Sequence, residues 1–196
     1  DRDAERMIIE SLRKAYPTHG FHGEECGLIE GKAEGKDWLW IIDPLDGTTN
    51  FIHGFPQYAV SLAVQYRGQT EHAVVYDPTR DECFSASRGH GAMLNDHRIR
   101  VTARKGLENA LIGTGFPFRP SQHGYLDAYL AAFKDVAQQC AGLRRPGAAS
   151  LDLAYVAAGR LDGFFELGLA PWDIAAGDLI IREAGGMVCD MAGGHN

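Results

Sequence analysis

The spacing of apolar and polar residues changes along the chain, and each change marks an element. Over residues 3–16, Met7, Ile8, Leu12 and Ala15 recur at helical spacing until Pro17 stops them, which predicts an amphipathic helix with that set as its apolar stripe. Residues 38–42 form an unbroken apolar run ended by Asp43-Pro44, the pattern of a strand buried on both faces. Residues 58–66, 71–76 and 82–87 are rich in Val, Tyr and Ala. Arg67-Gly68 and Pro78-Thr79-Arg80 separate them, so they read as an antiparallel meander. Further along, 110–113 predicts a strand, 122–140 a longer helix and 147–158 a helical stretch. A short aromatic strand at 163–166 and a helix at 174–184, closed by Gly185-Gly186, complete the pattern. Strands interspersed with helices in this way predict an α+β or layered α/β/α body rather than regular βαβ repeats. No composition break marks a linker, so the expectation is a single domain over residues 1–196.

Composition narrows the function. The 196 residues are 45% hydrophobic and can bury a sizeable core. A net charge of −7 disfavours a nucleic-acid partner held by a basic stripe, Arg144-Arg145 being too short a patch for one. An acidic protein can nevertheless bind a phosphate where cations invert the local field. Cys26, Cys83, Cys140 and Cys189 are far apart and form no C-x-x-C pair, so they are expected to be small buried hydrophobes in a reducing compartment. With no apolar run of membrane-spanning length and no signal-peptide core, a cytoplasmic protein is expected.

The richest chemistry lies in residues 40–51, Trp-Ile-Ile-Asp-Pro-Leu-Asp-Gly-Thr-Thr-Asn-Phe. An apolar strand carries Asp43 and Asp46 into the interior, and Pro44 holds Asp43 out of the α region, so both carboxylates can turn toward one point. Gly47 lets the backbone approach a ligand, and Thr48-Thr49-Asn50 reads as the first turn of a short helix with free N–H groups. That turn attracts an anion, whereas the neighbouring acids repel one. Mg²⁺ between them resolves the conflict, because it binds carboxylate oxygens and phosphate together. Asp43-Pro44 and Asp46-Gly47 are each ordinary turn dipeptides when alone, and the pattern gains its force from the whole run. Glu24-Glu25 adds a third acidic element in a glycine-flanked loop. Asp173, after Pro171-Trp172, adds a fourth at the start of a helix, where Ala175, Ala176 and Gly177 permit close packing on a neighbour.

These segments, together with Leu161-Asp162-Gly163-Phe164-Phe165-Glu166, resemble the signature blocks of the inositol monophosphatase family, in the family's order along essentially the whole chain. The resemblance implies a layered α-β-α-β-α sandwich with mixed and antiparallel sheets, shorter here at both ends than is usual in the family. It implies two or three Mg²⁺ held by Glu24, Asp43, Asp46 and Asp173, the Leu45 carbonyl and the Thr48 hydroxyl. Substrate phosphate would rest on the Gly47 and Thr48 N–H groups, and substrate hydroxyls on Asp46, Ala149, Glu166 and Asp173. Asp1, with Asp3 as a competitor, would join Glu24 and Thr48 in orienting the attacking water. Ala148 stands where many members carry Thr or Ser. The implied activity is hydrolysis of a phosphate monoester, myo-inositol 1-phosphate first, by a small-molecule enzyme that is a lithium-sensitive homodimer.

Alternative substrates are fructose 1,6-bisphosphate, histidinol phosphate or a 3′-phosphonucleotide, with the pocket near Arg144, Arg145, Ala149 and Glu166 deciding. A regulatory protein- or RNA-binding module on the same fold is the alternative from another class. Serine or cysteine hydrolase chemistry is disfavoured by the absence of G-x-S-x-G, and zinc chemistry by the absence of H-E-x-x-H. Gly113-Thr114-Gly115 continues as Phe116-Pro117-Phe118, so no dinucleotide fingerprint forms.

Overall fold

The computed structural model describes residues 1–117 and 120–194. In chain order its first half comprises α1 (Arg2–Ala15), β1 (Gly20–Gly23), β2 (Gly27–Ile29), β3 (Trp38–Asp46), α2 (Thr48–Ile52), β4 (Ala59–Tyr66), β5 (Gln69–Asp77), β6 (Glu82–Ser87), β7 (Gly91–Leu94) and β8 (His97–Arg98). The second half comprises β9 (Leu111–Thr114), α3 (Leu126–Ala137), β10 (Gly142–Arg144), α4 (Ala149–Ala157), β11 (Gly163–Phe165) and α5 (Pro171–Glu183).

Eight strands form one sheet in the order β2-β1-β3-β4-β5-β6-β7-β8, in which β1 and β3 run parallel and every other pair antiparallel. A second sheet, β10-β9-β11, is wholly parallel. Helix α1 packs on β3, while α5 lies across β3 to β7 and against α4. Helix α4 in turn touches β9 and β11, and Tyr129 of α3 packs its ring against Phe165 and bonds Thr114. The layers therefore run α1, large sheet, α4 with α5, small sheet, α3, which is the α+β sandwich that the sequence leads one to expect.

Strand β3 shows why its apolar run is unbroken. Ile41 joins the core formed with α4 and α5, whereas Ile42, its neighbour on the opposite face, joins Ile9 and Phe21 beneath α1. Successive strand residues point to opposite faces, so a strand covered on both sides needs apolar residues at every position. On the α5 side the sheet presents Ala59, Ala63, Ala73, Ala86 and Ala92, all buried and all small. A Cβ on Gly177 of α5 would stand 2.5 Å from Leu153 Cβ, so α5 and α4 approach as closely as their backbones allow.

Several expectations need correction. In α1, Met7 is 65% exposed and Ala15 is exposed, while Ile8 and Leu12 are half-buried. Its buried residues are Ile9 and Glu5. Glu5 accepts the Glu25 N–H at 3.1 Å, a buried carboxylate that no hydrophobic periodicity anticipates. Strand β3 runs on through Pro44 to Asp46, with a shift in its register against β4 between Asp43 and Asp46. The helix expected at 122–140 is shorter: a 3-10 turn over Pro120–Tyr125 precedes α3. The cysteines are free, three half-buried and Cys189 exposed, so none is the fully buried hydrophobe expected. Among the described residues no helix is long and apolar enough to cross a membrane. Phe118, which follows Gly113-Thr114-Gly115 in the sequence pattern, and the terminal His195-Asn196 lie outside the described residues.

Candidate active site: a carboxylate cluster at the end of β3

The register shift in β3 releases Asp43 and Asp46 on the side where α5 begins. Ligand oxygens of Asp43, Asp46 and Asp173 all lie within 4.8 Å of one another. Asp43 is 2% exposed and accepts the Leu45 N–H at 3.0 Å, a local bond across the irregular stretch of β3. Asp46 is 8% exposed and its Oδ2 accepts both the Ser150 N–H at 2.7 Å and the Ser150 hydroxyl at 2.5 Å. Asp173 accepts the Ala170 N–H at 2.6 Å, so it also closes the N-terminus of α5. Glu24 is exposed and outside this group of three, yet near enough for its charge to act on Asp43.

Burial, then the charges of Asp46 and Glu24, push Asp43 up to about 8. Burial likewise raises Asp46 to about 6, opposed by the Ser150 donors. Acids concentrated in a dry site without cations keep protons that they would otherwise lose. An ordinary carboxylate titrates near 4, so the folded state holds extra protons between that value and about 8, and stability without divalent cations falls as pH rises through this window. His19, held below its usual value by burial, works in the opposite sense only up to about pH 6.5. The expected result is a melting temperature in EDTA that declines from pH 6.5 to pH 8. Asp152→Asn should flatten the decline, because burial and the nearby Asp46 and Glu166 raise Asp152 to about 8 as well. A melting temperature that climbs over that interval contradicts the account.

Gly47 has φ 88° and ψ 33°, and a Cβ there would stand 2.8 Å from the Gln57 carbonyl. It opens α2, whose residue Thr48 donates its hydroxyl to the Leu45 carbonyl at 2.9 Å and lies 3.2 Å from Asp1 Oδ2. The chain's first residue therefore does reach the carboxylate loop, while Asp3 pairs instead with Arg6 at 3.1 Å. Asn50 pins this loop by donating to the carbonyls of Gln57 and Pro146, both at 2.8 Å. Ala149 opens α4, and its backbone N–H is among the donors acting on Asp46. Glu166 follows β11, and Gly115 leaves the space that its carboxylate occupies.

Two residues here escaped sequence reasoning. Ser150 is fully buried against Asp46. Asp152 is 1% exposed with Oδ1 lacking a hydrogen-bond partner among the described residues, and its charge is felt together with those of Asp46, Glu166 and Arg145. The available signal was that α4 is buried on nearly every side, so any polar residue within it must face something polar.

The family model for the inositol monophosphatase family matches residues 1–196. A curated relative, the Nus factor SuhB of Pseudomonas aeruginosa, is 63% identical over 195 residues, covering 100% of this chain and 72% of its own length. The extragenic suppressor protein SuhB of Bartonella henselae has a crystal structure that superposes with a TM-score of 0.94 at 50% identity, over 99% of this chain and 73% of that one. An inositol monophosphatase from Anabaena gives 0.92 at 37% identity, over 100% and 76%. With its whole length matched by the family model and its fold shared with a solved inositol monophosphatase, the chain belongs to the inositol monophosphatase family.

Proposed function

We propose that the chain is a Mg²⁺-dependent phosphomonoesterase whose substrate is myo-inositol 1-phosphate. The observation that carries this reading is the convergence of Asp43, Asp46 and Asp173 within 4.8 Å, two of them buried. The donor set suits a hard cation: all three ligands are carboxylate oxygens, with no thiolate or imidazole in the group. Burial first and then the charges of Asp46 and Glu24 raise Asp43 to about 8, and a bound cation would relieve both by stabilising the charged carboxylate. Glu24, Asp43, Asp46 and Asp173, with the Leu45 carbonyl and the Thr48 hydroxyl, would hold two or three Mg²⁺. When bound, the cations supply charge neutralisation for the phosphoryl oxygens and acidify a water.

The chain's own residues do the rest. The N–H groups of Gly47 and Thr48 bind the phosphate. Thr48, held between Leu45 and Asp1, shares with Asp1 and Glu24 the orientation of the attacking water. Asp46, Ala149, Glu166 and Asp173 take the hydroxyls of the alcohol. Phosphoryl transfer depends on positioning and charge neutralisation more than on covalent help, which this arrangement suits.

Assay of phosphate release from inositol 1-phosphate, fructose 1,6-bisphosphate, histidinol phosphate and a 3′-phosphonucleotide tests the reading. Release from the inositol ester should exceed the others, require Mg²⁺ and stop on adding EDTA. No release from any ester with any divalent cation would sink it. A second reading is favoured by the name Nus factor carried by the Pseudomonas relative: a regulatory protein- or RNA-binding role on the same fold. A pure binding module releases no phosphate, so the same assay separates the two.

A further inference from the structure

We propose that Ser150 is a positioning residue for Asp46, its hydroxyl locking that carboxylate into the orientation in which it shares a cation with Asp43 and Asp173. The inference rests on the metal-dependent reading above and deepens it.

Its basis is geometric. Ser150 is 0% exposed, and both its N–H and its Oγ reach the same oxygen, Asp46 Oδ2, at 2.7 and 2.5 Å. Of the donors acting on Asp46, the Ala149 and Ser150 N–H groups belong to the helix backbone, and the Ser150 hydroxyl is the side-chain donor added to them. Two donors from one residue, on a helix pressed against α5, fix the plane of the group. The short hydroxyl contact is typical of a charge-assisted bond. Residue 148, at the start of the same helix, is Ala148, fully buried with its Cβ beside Gly47, so the side-chain hydroxyl at this end of α4 is that of Ser150, which faces Asp46. Partners that orient a ligating group usually govern metal affinity, and their loss costs roughly 10-fold or more.

The test uses Ser150→Ala, which removes the hydroxyl and keeps the N–H, and Ser150→Thr, which restores a hydroxyl. Calorimetric titration of the full chain with Mg²⁺ should show affinity weakened about 10-fold in S150A and recovered at least in part in S150T. At saturating Mg²⁺ the S150A turnover should return to within a few-fold of the unaltered protein. A purely structural serine would lower the melting temperature in EDTA and leave the affinity unchanged. S150A affinity within two-fold of the unaltered chain, or tighter, overturns this inference alone. Absence of Mg²⁺ binding by the unaltered chain overturns the metal-dependent reading instead.

Discussion

Replacing Asp46 by Asn is expected to reduce turnover at least about 1,000-fold, roughly 4 kcal/mol of barrier, without unfolding the chain. The substitution keeps the shape of the side chain and an oxygen able to accept from Ser150 N and Oγ, so the local packing survives. What disappears is one negative charge from a group of three within 4.8 Å. Without divalent cations that loss relieves repulsion, because the charge on Asp46 is, after burial, the largest cause of the rise in Asp43. Scanning calorimetry at pH 8 should therefore find D46N as stable as the unaltered chain in EDTA, or more so, while added Mg²⁺ raises the melting temperature of the unaltered chain only. Asp173→Asn should lose turnover similarly but also some stability, about 0.5–1 kcal/mol, since Asp173 accepts the Ala170 N–H at the start of α5. Ordinary activity in either variant would refute the assignment.

Gly47→Ala should damage both stability and turnover through the backbone. At φ 88° a residue with a Cβ incurs about 1–2 kcal/mol of strain. The new methyl would also stand 2.8 Å from the Gln57 carbonyl, and Asn50 tethers that carbonyl, so the neighbour cannot move aside easily. The expected cost is about 2–4 kcal/mol, or a fall in melting temperature of roughly 4–16 °C for a chain of this size. Relaxation must displace α2 and with it Thr48, and a shift near 1 Å at such a point costs about 100-fold in rate. Gly54→Ala provides the comparison: Gly54 has φ +68° but nothing within 4 Å of the added methyl, so it should carry the strain and leave turnover near normal. Equal effects of the two variants would show that the close approach to Gln57 is irrelevant.

Local pattern was enough to place the elements that present the site. The unbroken apolar run before Asp43 marks a strand covered on both faces, because alternating residues need two apolar layers. Pro44, Gly47 and the Thr48-Thr49 turn are local chemistry and were readable as such, as was Asp173 at the head of α5. The short strands β1, β2, β7, β8 and β10 were not readable. Each spans at most four residues, and each is stabilised by a partner strand rather than by its own sequence.

The sequence by itself determined which carboxylates were available and which turn would open toward an anion. Tertiary structure alone decided that Asp173 meets Asp43 and Asp46, since that meeting depends on α5 crossing the large sheet and on Gly177 letting it close against Leu153. It also decided that Glu5 is buried beneath the Glu25 loop and that Ser150 faces Asp46. The physical reason is the same in each case. A buried polar group is placed by its hydrogen-bond partner, and when that partner lies far away in the chain, no local pattern of residues can announce it.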